Sequence, residues 1–396
     1  MSQGRKGHGD GTRLAHTGRG GTRHHGVVNT PVYHVSTVTF PSIAALHQAT
    51  HGPQSDRAVT YGRRGSPTTF ALQDAIAAIE GAGSTFLVPS GLSAIAVSLL
   101  SVLNPGDHVL ISDSAYAPAR QFADTVLRTL AIGTTYYDPR IGAGISKLFR
   151  PSTRAVFVEA PGSVTFEMQD IPEIAMTAHV HRAAVLMDNT WATPLFFKPL
   201  EHGVDLSIQS VTKYLGGHAD VVMGSITASE PWLSRVRHWV HQLGLSIGPD
   251  DCNLVLRGMR TLGARLAQHQ ATGLKLAEWL HARNEVKQVL HPALPDDPGH
   301  ELWKRDFDGA SGLFGVVLKP ASTEALAAFI DGLELFGIGY SWGGYESLIV
   351  PHDPRGIRTA VPWTEPGNLI RIHAGLEDAD DLISDLSAGL ARYAAA

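Results

Sequence analysis

Cysteine is all but missing from this chain. Cys252 stands alone among 396 residues, which excludes an internal disulfide and fits a reducing compartment. No apolar run approaches the roughly 18 residues that a membrane-spanning helix needs. Beyond the first residues there is no long run of like charge, and 32 basic against 37 acidic residues leave a net charge of -5. That balance argues against nucleic acid or an anionic membrane as the main partner. Gly-x-Ser-x-Gly occurs at Gly244–Gly248 and at Gly339–Gly343, but neither follows an expected strand as a nucleophile elbow must, which argues against a serine hydrolase. The 20 histidines include no His-Glu-x-x-His. His24-His25 and His179-x-His181 lack Cys or carboxylates at ligand spacing, so no metal is expected. The start, Met1 to Arg13, is rich in Gly, Arg, Lys and His and lacks the apolar core of a secretory signal. It reads as a frayed tail on a cytoplasmic protein.

What is present is enough for a large core. Hydrophobic residues make up 43% and charged residues 17%. The length allows two or three domains. The expected division is a tail and arm over residues 1–62, a large domain over 63–256 and a smaller C-terminal domain over 257–396. The boundary falls within Asn253 to Arg260. From His16 to Phe40 the pattern is irregular and extended, suited either to a neighbouring subunit or to the chain's own surface.

Ser66 is a good N-cap, Pro67 suits the first helical position, and Leu72, Ala75, Ile76 and Ile79 continue at helical spacing until Gly81. Ser84 to Pro89 reads as a strand, and a helix follows from about Leu92 to Leu103. Further short apolar strands are expected at His108 to Ser112, Ala155 to Glu159 and Ala183 to Met187. Strands alternating with helices imply an α/β fold with a mainly parallel sheet covered on both faces. Ligands collect at the carboxyl ends of such strands, where Gly91, Tyr116, Asp188 and Lys213 all fall. The Gly81-Ala82-Gly83 cluster precedes its strand, so it is no dinucleotide fingerprint. Ser225 to Ala228 reads as an antiparallel edge strand. Helices follow at Pro231 to Leu243, Asp250 to Met259 and Thr261 to Leu280. Later come a strand at Gly312 to Leu318, a helix at Thr323 to Leu333 and a strand at Asn368 to His373.

The chemistry is expected in Val204 to His218. There a strand, Leu206 to Gln209, runs into Ser210, Thr212 and Lys213, and Gly216-Gly217 allow a sharp turn. Lysine is normally exposed. One delivered by a buried strand end makes an amine whose charged form is disfavoured, able to condense with a carbonyl and later act as a base. An ordinary lysine at the sheet's rim fits the segment as well. The strand–Gly91–helix junction offers free backbone N–H groups and a positive helix end to a phosphate. Asp188 suits a protonated ring nitrogen or, alternatively, a helix cap. Arg371 lies among apolar neighbours and needs either a substrate carboxylate or a structural acid.

Six segments carry a resemblance over nearly the whole chain. They are Tyr-Gly-Arg-Arg-Gly-Ser-Pro-Thr from Tyr61, Glu-Ala-Pro-Gly-Ser from Glu159 and Asp-Asn-Thr-Trp-Ala from Asp188. Thr-Lys-Tyr-Leu-Gly-Gly-His follows from Thr212, then Tyr-Ser-Trp-Gly-Gly-Tyr-Glu-Ser from Tyr340 and Leu-Ile-Arg-Ile-His-Ala-Gly-Leu-Glu from Leu369. Together they resemble the Cys/Met-metabolism group of pyridoxal-phosphate enzymes, with the aspartate-aminotransferase-like fold (type I), and most of all its bacterial cystathionine β-lyases. The resemblance implies pyridoxal 5'-phosphate as cofactor, bonded through its aldehyde to Lys213. It implies Asp188 at the pyridine nitrogen and Tyr116 stacked on the ring. Gly91, Leu92, Ser210 and Thr212 would hold the phosphate. Tyr61 and Arg63 would reach that phosphate from a neighbouring subunit in a dimer or tetramer. Arg371, with Ser341 and Trp342, would bind the substrate carboxylate, and Lys213 and Tyr116 would handle protons.

The implied reaction is cleavage of the thioether amino acid L-cystathionine to homocysteine, pyruvate and ammonia. Pro118, Ala160-Pro161-Gly162-Ser163 and Trp342 depart from many γ-acting relatives and favour β-elimination. Chemistry at Cγ, as in cystathionine γ-lyase, γ-synthase or methionine γ-lyase, is the alternative. A binding protein that kept the fold and lost turnover is a third reading. The Gly- and His-rich start through His25 has no evident counterpart in that family.

Overall fold

Runs of five to seven residues, most of them apolar with β-branched members, become the strands of a seven-stranded sheet, β1 (Ser84–Val88), β2 (His108–Ser112), β3 (Gly133–Tyr137), β4 (Thr153–Glu159), β5 (Ala184–Asp188), β6 (Leu206–Ser210) and β7 (Gly224–Ala228). The computed structural model describes residues 8–20, 24–51, 57–81 and 84–396. Ala82, Gly83 and the first part of the expected tail, Met1 to Gly7, lie outside the described residues. The strand order is β1-β7-β6-β5-β4-β2-β3, and only β7 runs against its neighbours.

Strand β7 is therefore antiparallel as expected but is not an edge. It lies between β1 and β6, all five of its residues are buried, and Thr227 shares a hydroxyl hydrogen bond of 2.7 Å with Thr85. A second partner for both its edges outweighs the pattern of its short sequence, which cannot distinguish one neighbour from two.

Alternation along the parallel strands fills two cores. Val156 and Val158 of β4, with Val185 and Met187 of β5, face one layer that includes Ile171 and Ile174. Ala155 and Phe157, with Ala184 and Leu186, face the other, where Ile95 and Leu99 of the helix Gly91–Val102 pack.

The helices Pro249–Arg260 and Leu262–His281 lead to a second, five-stranded sheet of β8 (Val286–Leu290), β9 (Leu313–Leu318), β10 (Gly337–Ile338), β11 (Leu348–His352) and β12 (Leu369–His373). Its order is β10-β11-β12-β9-β8, antiparallel except for the β10–β11 pair. The helix Thr323–Ile330 is three residues shorter than expected and ends before Asp331.

The tail expectation fails for its last residues. Asp10–His16 is a helix that buries Leu14, its Asp10 accepts from Lys198 Nζ at 2.8 Å, and Thr17 O accepts from Arg260 at 2.8 Å. One buried leucine, one ion pair and one carbonyl held by an arginine anchor a segment whose composition alone resembles a solvated tail. Among the described residues no helix is long and apolar enough to cross a membrane.

Candidate active site

The helix Pro67–Glu80 starts as the sequence predicts, with Ser66 Oγ accepting the Thr69 N–H and Gly81 closing it at φ +76°. It packs with Pro249–Arg260 around Val211, Tyr214 and Leu215, which flank Lys213 and seat its backbone in a buried core. Gly217 then turns at φ +73°, where a Cβ would fall 2.0 Å from the guanidinium of Arg265.

The carboxyl ends of β2, β4, β5 and β6 open onto a cavity of about 500 Å³. Gly91, Leu92, Tyr116, Asp188, Ser210, Thr212, Lys213, Ser341, Trp342 and Arg371 all line it. Tyr61 and Arg63 do not. Tyr61 is 48% exposed, and Arg63 donates to the carbonyl of His241 at 3.0 Å.

At one end the helix Gly91–Val102 begins against the end of β6. A Cβ on Gly91 would lie 2.8 Å from Ser210 Cβ and Oγ, so only glycine allows the approach. Ser90 Oγ accepts the Ser93 N–H, which leaves the first N–H groups of the helix without an intrahelical partner, as at any helix start. Such an end suits a phosphate.

In the middle, Asp188 ends β5 beside Glu159 at the end of β4. Burial pushes both carboxyls up, and the neighbouring Asp188 raises Glu159 further. Asp188 Oδ1 accepts from the hydroxyl and N–H of Thr190 at 2.5 and 3.0 Å, and the Thr190 hydroxyl in turn accepts the Ser210 N–H at 2.8 Å. Glu159 Oε2 accepts the Tyr116 N–H at 2.7 Å and so sets the start of the tyrosine's helix. Two adjoining buried acids at the cavity floor suit a ligand group that itself carries positive charge.

Lys213 extends toward the opposite wall. Its Nζ donates to Ser341 Oγ at 2.6 Å and lies 5.4 Å from the centre of the Trp342 ring. Burial, then the nearby Arg371, lowers its pKa to about 8 against the pull of Asp188. An amine so placed is a nucleophile and base near neutrality. Arg371 leaves β12, donates to Ser341 O at 3.3 Å, and is lowered to about 10 by burial. Among the described residues it makes no salt bridge with an acid, which leaves its fork for a ligand carboxylate.

Three contributors escaped the sequence reading as site residues. Glu159 and Thr190 were visible only as neighbours inside motifs, though an acid ending a buried strand and an Asp-x-Thr turn are both signals. Asp113, directly after β2, is wholly buried and ion-paired with Arg120 at 2.8 Å and Arg358 at 3.0 Å. It also accepts the N–H groups of Thr359 and Val361, and thereby straps residues 353–361 over the cavity rim.

A helix start that accepts a phosphate, a buried acid pair for a cationic ring and an amine poised near neutrality fit pyridoxal phosphate (PLP). Similar chains agree. A cystathionine β-lyase of Escherichia coli is 44% identical over 387 residues, 96% of this chain and 98% of that one. An L-alanine/L-glutamate racemase of Wolbachia pipientis is 42% identical, covering 96% of each chain. A cystathionine γ-synthase of Xanthomonas oryzae pv. oryzae, solved with cystathionine, superposes with a TM-score of 0.89 at 31% identity, over 98% of this chain and 99% of that one. The family described as Cys/Met metabolism PLP-dependent enzyme matches residues 11–391, so the start from Gly11 does have a counterpart, contrary to expectation. With fold, cavity and sequence in accord, the chain belongs to the Cys/Met metabolism PLP-dependent enzymes.

Proposed function

We propose that this protein is a carbon–sulfur β-lyase that converts L-cystathionine and water to homocysteine, pyruvate and ammonia, in sulfur amino-acid metabolism. The observation that carries this is the meeting of Lys213 Nζ, Asp188 and Arg371 around one cavity, with Lys213 held on Ser341. The identity to the Escherichia coli β-lyase supports the choice of reaction.

Bound pyridoxal phosphate supplies an electron sink for the charge left when the substrate Cα loses its proton. The chain's own residues do the rest. Gly91 and Leu92, with Ser210 and Thr212, would hold the phosphate. Asp188, fixed by Thr190, would keep the ring nitrogen protonated, and Tyr116 would cover the ring. Arg371 orients the substrate carboxylate beside Ser341 and Trp342. Lys213 takes the Cα proton, a positioned-base step worth roughly 10²–10⁴-fold. The Cβ–S bond then breaks and its electron pair leaves with sulfur. Lys213 or Tyr116 gives that thiolate a proton, and the three-carbon enamine left behind hydrolyses to pyruvate and ammonia.

Tyr61 and Arg63 sit off their own cavity, and we infer that they complete the phosphate site of a neighbouring subunit. The active unit is then at least a dimer, and a tetramer fits. Exposed Val27, Val28, Ile43 and Leu46 on the arm support that contact. A cytoplasmic setting and a division at 1–62, 63–256 and 257–396 complete the reading, with neither nucleic acid nor membrane as partner.

The Wolbachia relative favours one other reading, racemisation of alanine or glutamate. Purified holoenzyme given L-cystathionine distinguishes them. Pyruvate supports β-elimination and 2-oxobutyrate supports chemistry at Cγ. Failure on cystathionine with formation of D-alanine from L-alanine supports the racemase.

A further inference from the structure

His373 is two residues beyond Arg371 on β12 and faces the same side of the strand, yet it is 1% exposed and lies behind the cavity. Its Nε2 accepts the Gly343 N–H at 3.0 Å. The same nitrogen lies 3.2 Å from Gly344 O, so it bonds the turn in either tautomer. Nδ1 has no hydrogen-bond partner among the described residues. An orphaned polar atom in so buried a ring is costly, and a phenyl ring would fill the space without it.

What the ring holds explains its presence. Gly343 stands at φ +83°, and a Cβ there would lie 2.8 Å from Tyr214 N and 2.9 Å from Lys213 C. The turn is thus pressed onto the peptide that joins Lys213 to Tyr214. Two residues earlier, Ser341 adopts φ +98°, a conformation that a residue with a Cβ holds only under constraint. From that strained position its Oγ meets Lys213 Nζ at 2.6 Å and its carbonyl meets Arg371 at 3.3 Å. The turn touches the lysine at its backbone and at its amine, and His373 grips the turn from behind.

We propose that His373 is a positioning residue: through Nε2, which meets both Gly343 N and Gly344 O, it holds the strained turn 341–343 so that Ser341 stays on Lys213 and Arg371. This rests on the roles proposed above for Lys213 and Arg371. The ring is suited to the task because it stays neutral. Burial, then His269, and also Arg371 and Lys213, push its pKa down to about 3. Tyr214, also packed on it, is pushed up by burial and stays uncharged.

The test compares holoenzymes of His373→Phe, which keeps a ring but no hydrogen-bonding group, and His373→Gln, whose amide reaches about as far as Nε2. Two quantities are read per bound cofactor: kcat and KM for L-cystathionine, and the pH midpoint of the cofactor's absorbance change without substrate. The Phe variant is expected to lose about tenfold in kcat, the worth of one hydrogen bond. Its midpoint should move by about one pH unit, because the amine has lost its fixed neighbour. His373→Gln should recover most of both. In a Ser341→Ala background, His373→Phe should move the midpoint no further.

A purely structural histidine would lower the melting temperature and leave kcat and midpoint at wild-type values. That result overturns the proposal, as does a Gln variant as impaired as the Phe one. If His373→Phe yields no holoenzyme, His373→Asn, too short to reach Gly343, takes its place against His373→Gln under the same criteria. Lys213→Ala separates the two levels: if it still turns over, the assignment of the lysine fails, whatever His373 does.

Discussion

Lys213 Nζ and Ser341 Oγ are 2.6 Å apart, although one follows a strand of the seven-stranded sheet and the other hangs from a loop of the five-stranded one. The contact makes the active amine a joint product of both sheets. Neither half of the chain places it alone.

Removing the amine gives the plainest prediction. Lys213→Ala should abolish turnover, and borohydride, which links the cofactor to Lys213 in the parent protein, should leave the variant unlabelled by mass spectrometry. Labelling at another lysine in the parent contradicts the assignment.

Arg371 should act mainly on binding. Arg371→Leu removes a charged partner from a buried site, and kcat/KM for cystathionine should fall by about 2–5 kcal/mol, chiefly through KM. A variant with unchanged KM assigns the carboxylate to another group.

The strap over the rim depends on Asp113. In Asp113→Ala, Arg120 and Arg358, each only 4% exposed, lose a shared carboxylate. Breaking a buried ion pair of this kind costs about 3–5 kcal/mol, which urea denaturation reads directly. A loss below about 1 kcal/mol, the scale of an exposed pair, means that the strap is held by other contacts.

Glu80 predicts a pH dependence. It is wholly buried, accepts from Ser207 Oγ at 3.0 Å, and burial raises its pKa from 4.5 to about 7. The folded protein keeps that proton to higher pH than the unfolded chain does. Its contribution to stability is therefore complete below about pH 4.5 and is lost as pH rises through about 7, a change on the order of 3 kcal/mol. Glu80→Gln should flatten this part of the profile, gaining stability relative to the parent at pH 8 and not at pH 4.5. An equal difference at both pH values contradicts the assignment.

Much of this site was legible before any coordinates. Short apolar strands put Gly91, Tyr116, Asp188 and Lys213 at one sheet edge by topology alone, and the structure places all four around one cavity. The second partner of β7 was not legible, because five residues do not record how many strands flank them. Nor was the helix Asp10–His16, whose anchors, Lys198 and Arg260, lie far away in sequence. Asp113 and His373 act through backbone groups of distant loops. Such contacts leave no local spacing to read.

The most direct test is the keto acid released when purified holoenzyme acts on L-cystathionine. Stoichiometric pyruvate with homocysteine is predicted. The appearance of 2-oxobutyrate with cysteine, or of no keto acid from a cofactor-loaded protein, contradicts the account.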